Sequence, residues 1–461
     1  MGLLLALMPG LALAADFDGS QLTAIWAVPF IGILLSIALL PLLTPHFWHH
    51  HFGKIATAWA LAFLLPFALI FGPTAAAAGL VHALLAEYIP FIVLLTALFT
   101  VSGGIYIRGN LHGSPALNTG ILAIGTVLAS FMGTTGASML LIRPLIRAND
   151  NRKSQAHIVV FFIFLVSNIG GAFTPLGDPP LFLGFLKGVT FFWTVTTLLP
   201  ETLFLIISLL VIFYVIDSWY YKREGVSPAD PTPDTQRLGF DGKANFALIA
   251  VIMALVLMSG IWKPGINFDI MGTVVGLPGI LRDVGLIAVT LLSLRITAAG
   301  VHQSNHFSWA PMQEVAKLFI GIFLTIIPVI AMLRAGLNGP FAAIVQAVTG
   351  PDGQPDPARY FWATGMLSGF LDNAPTYLVF FNMAGGDVKV LMTTLASTLA
   401  AVSAGAVFMG ALSYIGNAPN LMVKAVAEDR GVKMPSFFGY VGWSFTILLP
   451  LFVVVTLVWF K

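Results

Sequence analysis

Apolar runs of membrane-crossing length alternate along the chain with short polar or Pro/Gly-rich punctuation, the pattern of a polytopic helical protein. Spanning helices are predicted over 22–43, 55–72, 81–107, 156–187, 198–217, 244–262, 281–300, 312–334, 389–427 and 438–460. Two further stretches, 114–148 and 359–385, each hold two short apolar arms around a polar tip. The tips read Gly133-Thr134-Thr135-Gly136-Ala137-Ser138 and Asp372-Asn373-Ala374-Pro375-Thr376. Arms of that length suit re-entrant hairpins, which enter and leave on the same side.

Two of the spans are interrupted. Within 156–187, Ser167-Asn168-Ile169-Gly170-Gly171-Ala172-Phe173-Thr174-Pro175-Leu176-Gly177-Asp178-Pro179-Pro180 brings three glycines, three prolines and a carboxylate into one helix. Proline removes a backbone donor and clashes with the preceding turn, so the helix breaks. Within 389–427, Ala411-Leu412-Ser413-Tyr414-Ile415-Gly416-Asn417-Ala418-Pro419 aligns with 172–180 without a gap, as Ala-x-[Ser/Thr]-x-x-Gly-[Asp/Asn]-x-Pro. A broken helix in hydrocarbon is tolerable only when buried in protein or facing a watery cavity. Paired interruptions in corresponding halves point to a transporter site at the bilayer midplane. Plain proline kinks would need neither the carboxylate Asp178 nor the matched Gly-Asn-x-Pro.

Composition agrees with this pattern: 58% of residues are apolar and 9% charged, against about 25% charged in soluble domains. A net charge of +2 gives no reason to expect nucleic acid, and the absence of cysteine excludes disulfides and thiolate metal sites. Residues 1–15 are apolar and end in Ala12-Leu13-Ala14, as a cleavable signal peptide does, and are too short to span.

Basic residues set the orientation. Lys54, Arg108, Arg143, Arg147, Arg152, Lys153, Lys222, Arg223, Lys424, Arg430 and Lys433 all fall on one side if the hairpins do not cross, while Arg334, Arg359 and Lys389 fall on the other. Each half then reads helix, helix, hairpin, broken helix, helix, over 55–217 and 281–460, with 22–43 and 244–262 as extra spans. The hairpins open on opposite sides, so the repeats have inverted topology, joined by a flexible cytoplasmic linker over 218–243. The expected fold is an all-α polytopic membrane protein with about ten spanning helices and two re-entrant hairpins.

The tips and breaks supply hard oxygen ligands suited to Na+. The first half offers Thr134, Thr135, Ser138, Ser167, Asn168, Thr174, Gly177 and Asp178; the second offers Asp372, Asn373, Thr376, Ser413, Gly416, Asn417 and Asn420. Asp178 and Asp372 are foremost, because two carboxylates sharing a cavity repel and can exchange H+ for Na+. The competing roles are helix-to-helix hydrogen bonding for the Ser, Thr and Asn side chains and half-helix capping for the two aspartates. Tip against tip, Asp372 falls opposite Thr134. Other polar residues read as anchors or helix ends. These are His46, His49, His50 and His51 in a loop, an ion pair of Glu314 with Lys317, and Asp283 and Glu201 at helix ends. No nucleophile elbow, zinc-ligand helix or phosphate loop is present, so an enzyme is not expected.

At Ser167-Asn168-Ile169-Gly170-Gly171, Pro175-Leu176-Gly177-Asp178-Pro179-Pro180, Asp372-Asn373-Ala374-Pro375 and Gly416-Asn417-Ala418-Pro419-Asn420 the chain resembles the ion transporter superfamily. The Gly-Gly-Ala-Phe-Thr-Pro-Leu-Gly-Asp run is most similar to the D-type sodium/proton antiporter and arsenite permease branch, with a weaker likeness to citrate and divalent-anion carriers. The resemblance implies a secondary active transporter, a Na+/H+ antiporter first and a citrate or dicarboxylate carrier or arsenite permease as alternatives. It also implies a homodimer in a prokaryotic inner membrane, an elevator-type movement of both hairpins and both broken helices, and no cofactor beyond the transported Na+ and H+.

Overall fold

The computed structural model describes residues 18–225, 231–232 and 237–461; the predicted signal segment 1–15 lies outside them. Proline occupies the first turn of the helices Val28–Leu43, Pro45–Phe71, Pro73–His82, Pro115–Met132, Leu277–Ile296, Ala310–Thr325 and Pro357–Phe370. Its fixed φ suits the helix, and it brings no N–H to a turn whose donors lack partners.

Among the described residues eight helices are long and apolar enough to cross a membrane. Ala310–Thr325 and Ile327–Arg334, bent by 42° beside Pro328, add one more span. The chain is an all-α polytopic membrane protein. The strands are two short ribbons, Tyr106–Arg108 with Gly239–Asp241 and Asn267–Ile270 with Thr273–Gly276.

Both interrupted runs are divided where the glycines and prolines fall. The first consists of Ala156–Leu165, the short turn Ile169–Ala172 and Pro179–Leu186; the second of Ala396–Phe408, Met409–Leu412 and Ala418–Asp429. His157 to Leu165 and Thr398 to Phe408 are buried on every side, so other helices surround these two runs. The outer helices expose apolar side chains such as Leu65, Leu69, Ile207 and Val211 to the bilayer.

The stretches 114–148 and 359–385 fold as helical hairpins. Pro115–Met132 and Thr134–Ala148 reverse at Gly133, whose φ of 79° a side-chain-bearing residue rarely adopts. At 18 residues the first arm is longer than expected and would suffice to cross alone, yet Gly133 ends it inside the molecule. Pro357–Phe370 and Asn373–Met383 reverse at Leu371-Asp372, and Tyr360 meets Phe380 across their base.

Several boundaries differ from expectation. The second span starts at Pro45, so His46, His49, His50 and His51 lie on the helix Pro45–Phe71 and not in a loop. Proline at the first turn, unrecognised as a start, explains the shift. Glu314 accepts from Trp48 Nε1 at 3.1 Å, and Lys317 lies over the Phe52 ring, so each takes an aromatic partner in place of the other. The segment 218–243 is helical to Glu224 and ends in the strand Gly239–Asp241; residues 226–230 and 233–236 of it lie outside the described residues. Glu201 is no helix-end residue: it sits inside Phe191–Glu224 and is 1% exposed.

A buried ionic knot closes the base of the first hairpin. Asn118 and Asn149 exchange amide hydrogen bonds of 2.9 and 2.8 Å, and Asn118 also donates to Asp217. Asp217 accepts from Arg152 and His157, each at 2.9 Å, while Arg152 Nε reaches Glu224 at 2.9 Å. Hairpin, broken span and the helix Phe191–Glu224 are thereby fixed to one another. Removing the carboxylate leaves the Arg152 charge short of a partner, a change that costs about 3–5 kcal/mol for buried pairs. Asp217→Asn is expected to lower the melting temperature of the purified protein sharply. Lys424→Ala, which opens the more exposed Lys424–Glu428 pair, is expected to cost no more than ~0.5 kcal/mol. Equal melting temperatures for wild type and Asp217→Asn would contradict the assignment.

Candidate ion and substrate site

Each break is a tight crossing of the chain over itself, pinned to its own hairpin. Thr174 Oγ1 donates to the Ser130 carbonyl and accepts from the Leu176 N–H at 3.1 Å. Ser413 Oγ donates to the Gly369 carbonyl and accepts from the Ile415 N–H at 3.2 Å. In both halves the hydroxyl follows its carbonyl partner by 44 residues, so hairpin and break repeat without a gap. That register places Thr134 opposite Asn373 and Gly133 opposite Asp372, one residue away from the pairing of the tips read in the sequence. The tips themselves share no residue type there, so only the hydrogen bonds fix the register.

The four segments meet at Asp178, which is 1% exposed. Its Oδ1 accepts from Thr134 Oγ1 at 3.1 Å and from Asn417 Nδ2 at 3.1 Å; its Oδ2 accepts from Asn373 Nδ2 at 2.6 Å. One donor comes from each hairpin tip and one from the opposite break. The Thr134 N–H also docks the first tip on the Gly177 carbonyl at 2.8 Å. Thr134–Ala148, Pro179–Leu186, Asn373–Met383 and Ala418–Asp429 all start here, and helix N-termini favour negative charge. Asp178 precedes the helix Pro179–Leu186 without capping it. Asp372 does cap, accepting the Ala374 N–H at 3.0 Å.

Around this centre lies a set of amides and hydroxyls whose bonds hold the breaks open. Asn417 Nδ2 is also 3.1 Å from the Ser167 carbonyl. Asn168 Nδ2 donates to Asn420 Oδ1 at 2.8 Å, and Asn420 Nδ2 donates to the Gly410 and Ser413 carbonyls at 2.9 Å. Ser138 and Ser167 share a hydroxyl bond of 2.9 Å, and Thr376 Oγ1 donates to the Asp372 carbonyl at 2.8 Å. Thr174, Ser413, Asn420 and Thr376 are thus engaged with backbone carbonyls. Thr134, Thr135, Gly177, Asp178, Asp372, Asn373 and Asn417 line a cavity.

The opposite wall of that cavity is apolar: Phe91, Leu94, Leu98, Met312, Val315 and Phe319, from the helices Ile89–Gly103 and Ala310–Thr325. Sequence reasoning missed these residues, which carry no mark distinguishing them from lipid-facing ones. It missed Ser130 as well, an ordinary small residue in a helix interior. Among the described residues no Lys, Arg or His lines the cavity, whereas two carboxylates do. The cavity thus offers oxygen atoms, with two carboxylates set beside four helix N-termini. Among the described residues no three His, Cys, Asp or Glu side chains gather as a metal site. Weak coordination of Na+ by amide, hydroxyl and backbone oxygens needs no such cluster.

A family model described as "Putative citrate transport" matches residues 19–460, nearly the whole chain. The chain belongs to that citrate-transport family. Proteins named uncharacterized transporter from Mycobacterium bovis and Mycobacterium tuberculosis are each 25% identical over 348 residues, which is 73% of this chain and 73% of theirs. Their names support the family's coarse activity, transport across a membrane.

The crossings leave no room for side chains. A Cβ on Gly177 would lie 2.2 Å from the Gly171 carbonyl oxygen, and one on Gly416 would lie 2.5 Å from the Gly410 oxygen. Backbone meets backbone, so neither neighbour can turn aside. Gly177→Ala is expected to cost about 1–3 kcal/mol or more and to abolish transport. Gly120→Ala, with nothing within 4 Å of its Cβ, is expected to leave both stability and transport unimpaired. Melting curves and vesicle uptake on the two variants check this; a fully active Gly177→Ala would contradict the crossing.

Proposed function

We propose that this protein is a secondary active transporter whose central site, built on Asp178, binds Na+ and H+ in turn and exchanges them across the membrane. The observation that carries the reading is a buried carboxylate held by three neutral donors from both halves, in a cavity lined by a second carboxylate and, among the described residues, by no cationic side chain. Such a site is short of positive charge. Na+ or H+ can supply it, and because both neutralise the same group each displaces the other.

In this reading the two hairpins and two broken spans, knotted together by their hydrogen bonds, move as one body past the apolar wall of Phe91, Leu94, Met312 and Phe319. A smooth apolar wall offers no hydrogen bond that must be broken during such sliding. The hairpins are re-entrant, the repeats are inverted, and the working unit is a homodimer in a prokaryotic inner membrane.

The family description favours a second reading, a Na+- or H+-coupled citrate or dicarboxylate carrier. There the bound cation would offset Asp178 and Asp372, and the helix starts at Thr134, Asn373 and Ala418 would receive the substrate carboxylates. Arsenite efflux, the third activity the resemblance implies, has no observation of its own in its favour.

Counter-flow in proteoliposomes offered Na+, Li+, citrate, succinate and arsenite separately distinguishes these readings. Na+ or Li+ is expected to collapse a preset pH gradient while K+ has little effect. Asp178→Asn, which replaces acceptor oxygens by an amide facing Asn373 and Asn417, is expected to abolish this while the protein still reaches the membrane. Full exchange by Asp178→Asn, or citrate uptake with no Na+-driven proton movement, would overturn the antiport reading. Asp372→Asn is expected to retain exchange with a lower apparent Na+ affinity, since one of the two carboxylates lining the cavity is lost. An unchanged Na+ affinity would show that the two carboxylates do not share the site.

A further inference from the structure

Glu201 has no part in the site described above, and its surroundings call for an explanation. It lies 11 residues into the 34-residue helix Phe191–Glu224, on the face that turns inward with Thr194, Leu198, Leu205 and Leu209. It is 1% exposed, and its Oε2 has no hydrogen-bond partner. Among the described residues no cation forms an ion pair with it, whereas Asp178 is bonded by donors, Asp217 is paired and Asp372 caps a helix.

Arg152 packs on this helix only at its far end, paired with Asp217 and Glu224, and among the described residues the helices and turn packed against it supply no further counter-charge. Pro115–Met132, the turn Ile169–Ala172 and Ala396–Phe408 contain no titratable side chain. Ala156–Leu165 offers only His157, and Phe437–Trp459 only Tyr440. His157 is committed to Asp217, 16 residues further along the same helix, about 24 Å away at 1.5 Å per residue. Tyr440 donates to the Ala411 carbonyl at 2.9 Å. An ionised carboxylate with an unpaired oxygen in such a place is far costlier than the neutral acid. The acid forgoes only an ordinary hydrogen bond.

The position is informative as well as the charge. Thr194, two helical turns earlier on the same face, reaches the Phe173 carbonyl, and the turn Ile169–Ala172 packs on this helix. The helix that carries Glu201 therefore packs directly on the first break, while Glu201 itself is not among the residues lining the cavity. We infer that Glu201 is a second proton-binding carboxyl group of this transporter, neutral in this structure and able to exchange its proton with water. The inference rests on the transporter reading for its purpose, and on burial and an orphaned oxygen for its substance. The exchange is a simple ionisation: the O–H bond of the acid breaks, a water molecule takes the proton, and the carboxylate remains.

The test is infrared difference spectroscopy on the purified full-length protein, with pH jumps as the probe. Wild type is expected to show the carbonyl stretch of a protonated carboxylic acid that Glu201→Gln removes, and that band is expected to diminish reversibly as the pH rises. Glu201→Gln mimics the neutral acid and is expected to keep the wild-type melting temperature. In proteoliposomes it is expected to lose net proton movement by an order of magnitude while keeping substrate counter-flow. Absence of a band removed by Glu201→Gln would show the group ionised and overturn the inference. A band that never responds to pH would reduce Glu201 to a structural acid and overturn it equally. If wild type moves no protons with any substrate, the antiport reading falls, and the infrared result still decides the state of Glu201.

Discussion

The buried carboxylate of Asp178 is the constraint on which the centre of the molecule depends. A lone carboxylate in a membrane interior is prohibitively expensive, and the donors and helix starts around it reduce that cost. Three donors arrive from three separate segments, and four helices begin around it. The helices begin there because two spans break there, and the breaks are stable because hydroxyls and amides hold the freed backbone. Ser130, Thr174, Asn168 and Asn420 perform that holding without touching Asp178. Order at the site and irregularity of the backbone are thus one arrangement, bought by a dense set of short-range hydrogen bonds.

Chemical asymmetry within a symmetric frame gives the site its character. The halves share a hydroxyl pinned to a hairpin carbonyl and a glycine at the crossing, yet Asp178 in one faces Asn417 in the other. An amide can donate where a carboxylate can only accept, so the second half solvates the charge of the first. Two carboxylates at those equivalent places would repel, and two amides would leave that position without a charge. The remaining carboxylate, Asp372, borders the same cavity at the second tip, where it also caps the helix Asn373–Met383.

Much of this was legible in the residues, and the reasons are physical. Glycine and proline act locally, so the two breaks stand where they were expected, and the aligned Gly-[Asp/Asn]-x-Pro marked the residues that meet at the centre. Register between the tips was not legible, because Gly133 and Asp372 share no chemistry and only the Thr174 and Ser413 hydroxyls reveal the correspondence. Glu201 was misread because proline beside it suggested a helix end, while Pro200 lies inside a helix long enough to absorb it. The apolar wall and the Arg152–Asp217 knot needed the fold itself: the first looks like any lipid-facing surface, and the second joins residues distant in sequence.

The central claim is that the tips of the two halves meet at one carboxylate, and chemical cross-linking tests it most directly. The chain has no cysteine, so Thr134→Cys with Asn373→Cys introduces the only two thiols. A protease site placed within 226–236 lets the halves be separated after cleavage. A short bifunctional thiol reagent is predicted to keep the cleaved halves of the double variant together on a denaturing gel, and neither single variant should be held. Free separation of the halves after full modification of both thiols would contradict the convergence at Asp178 and, with it, the site.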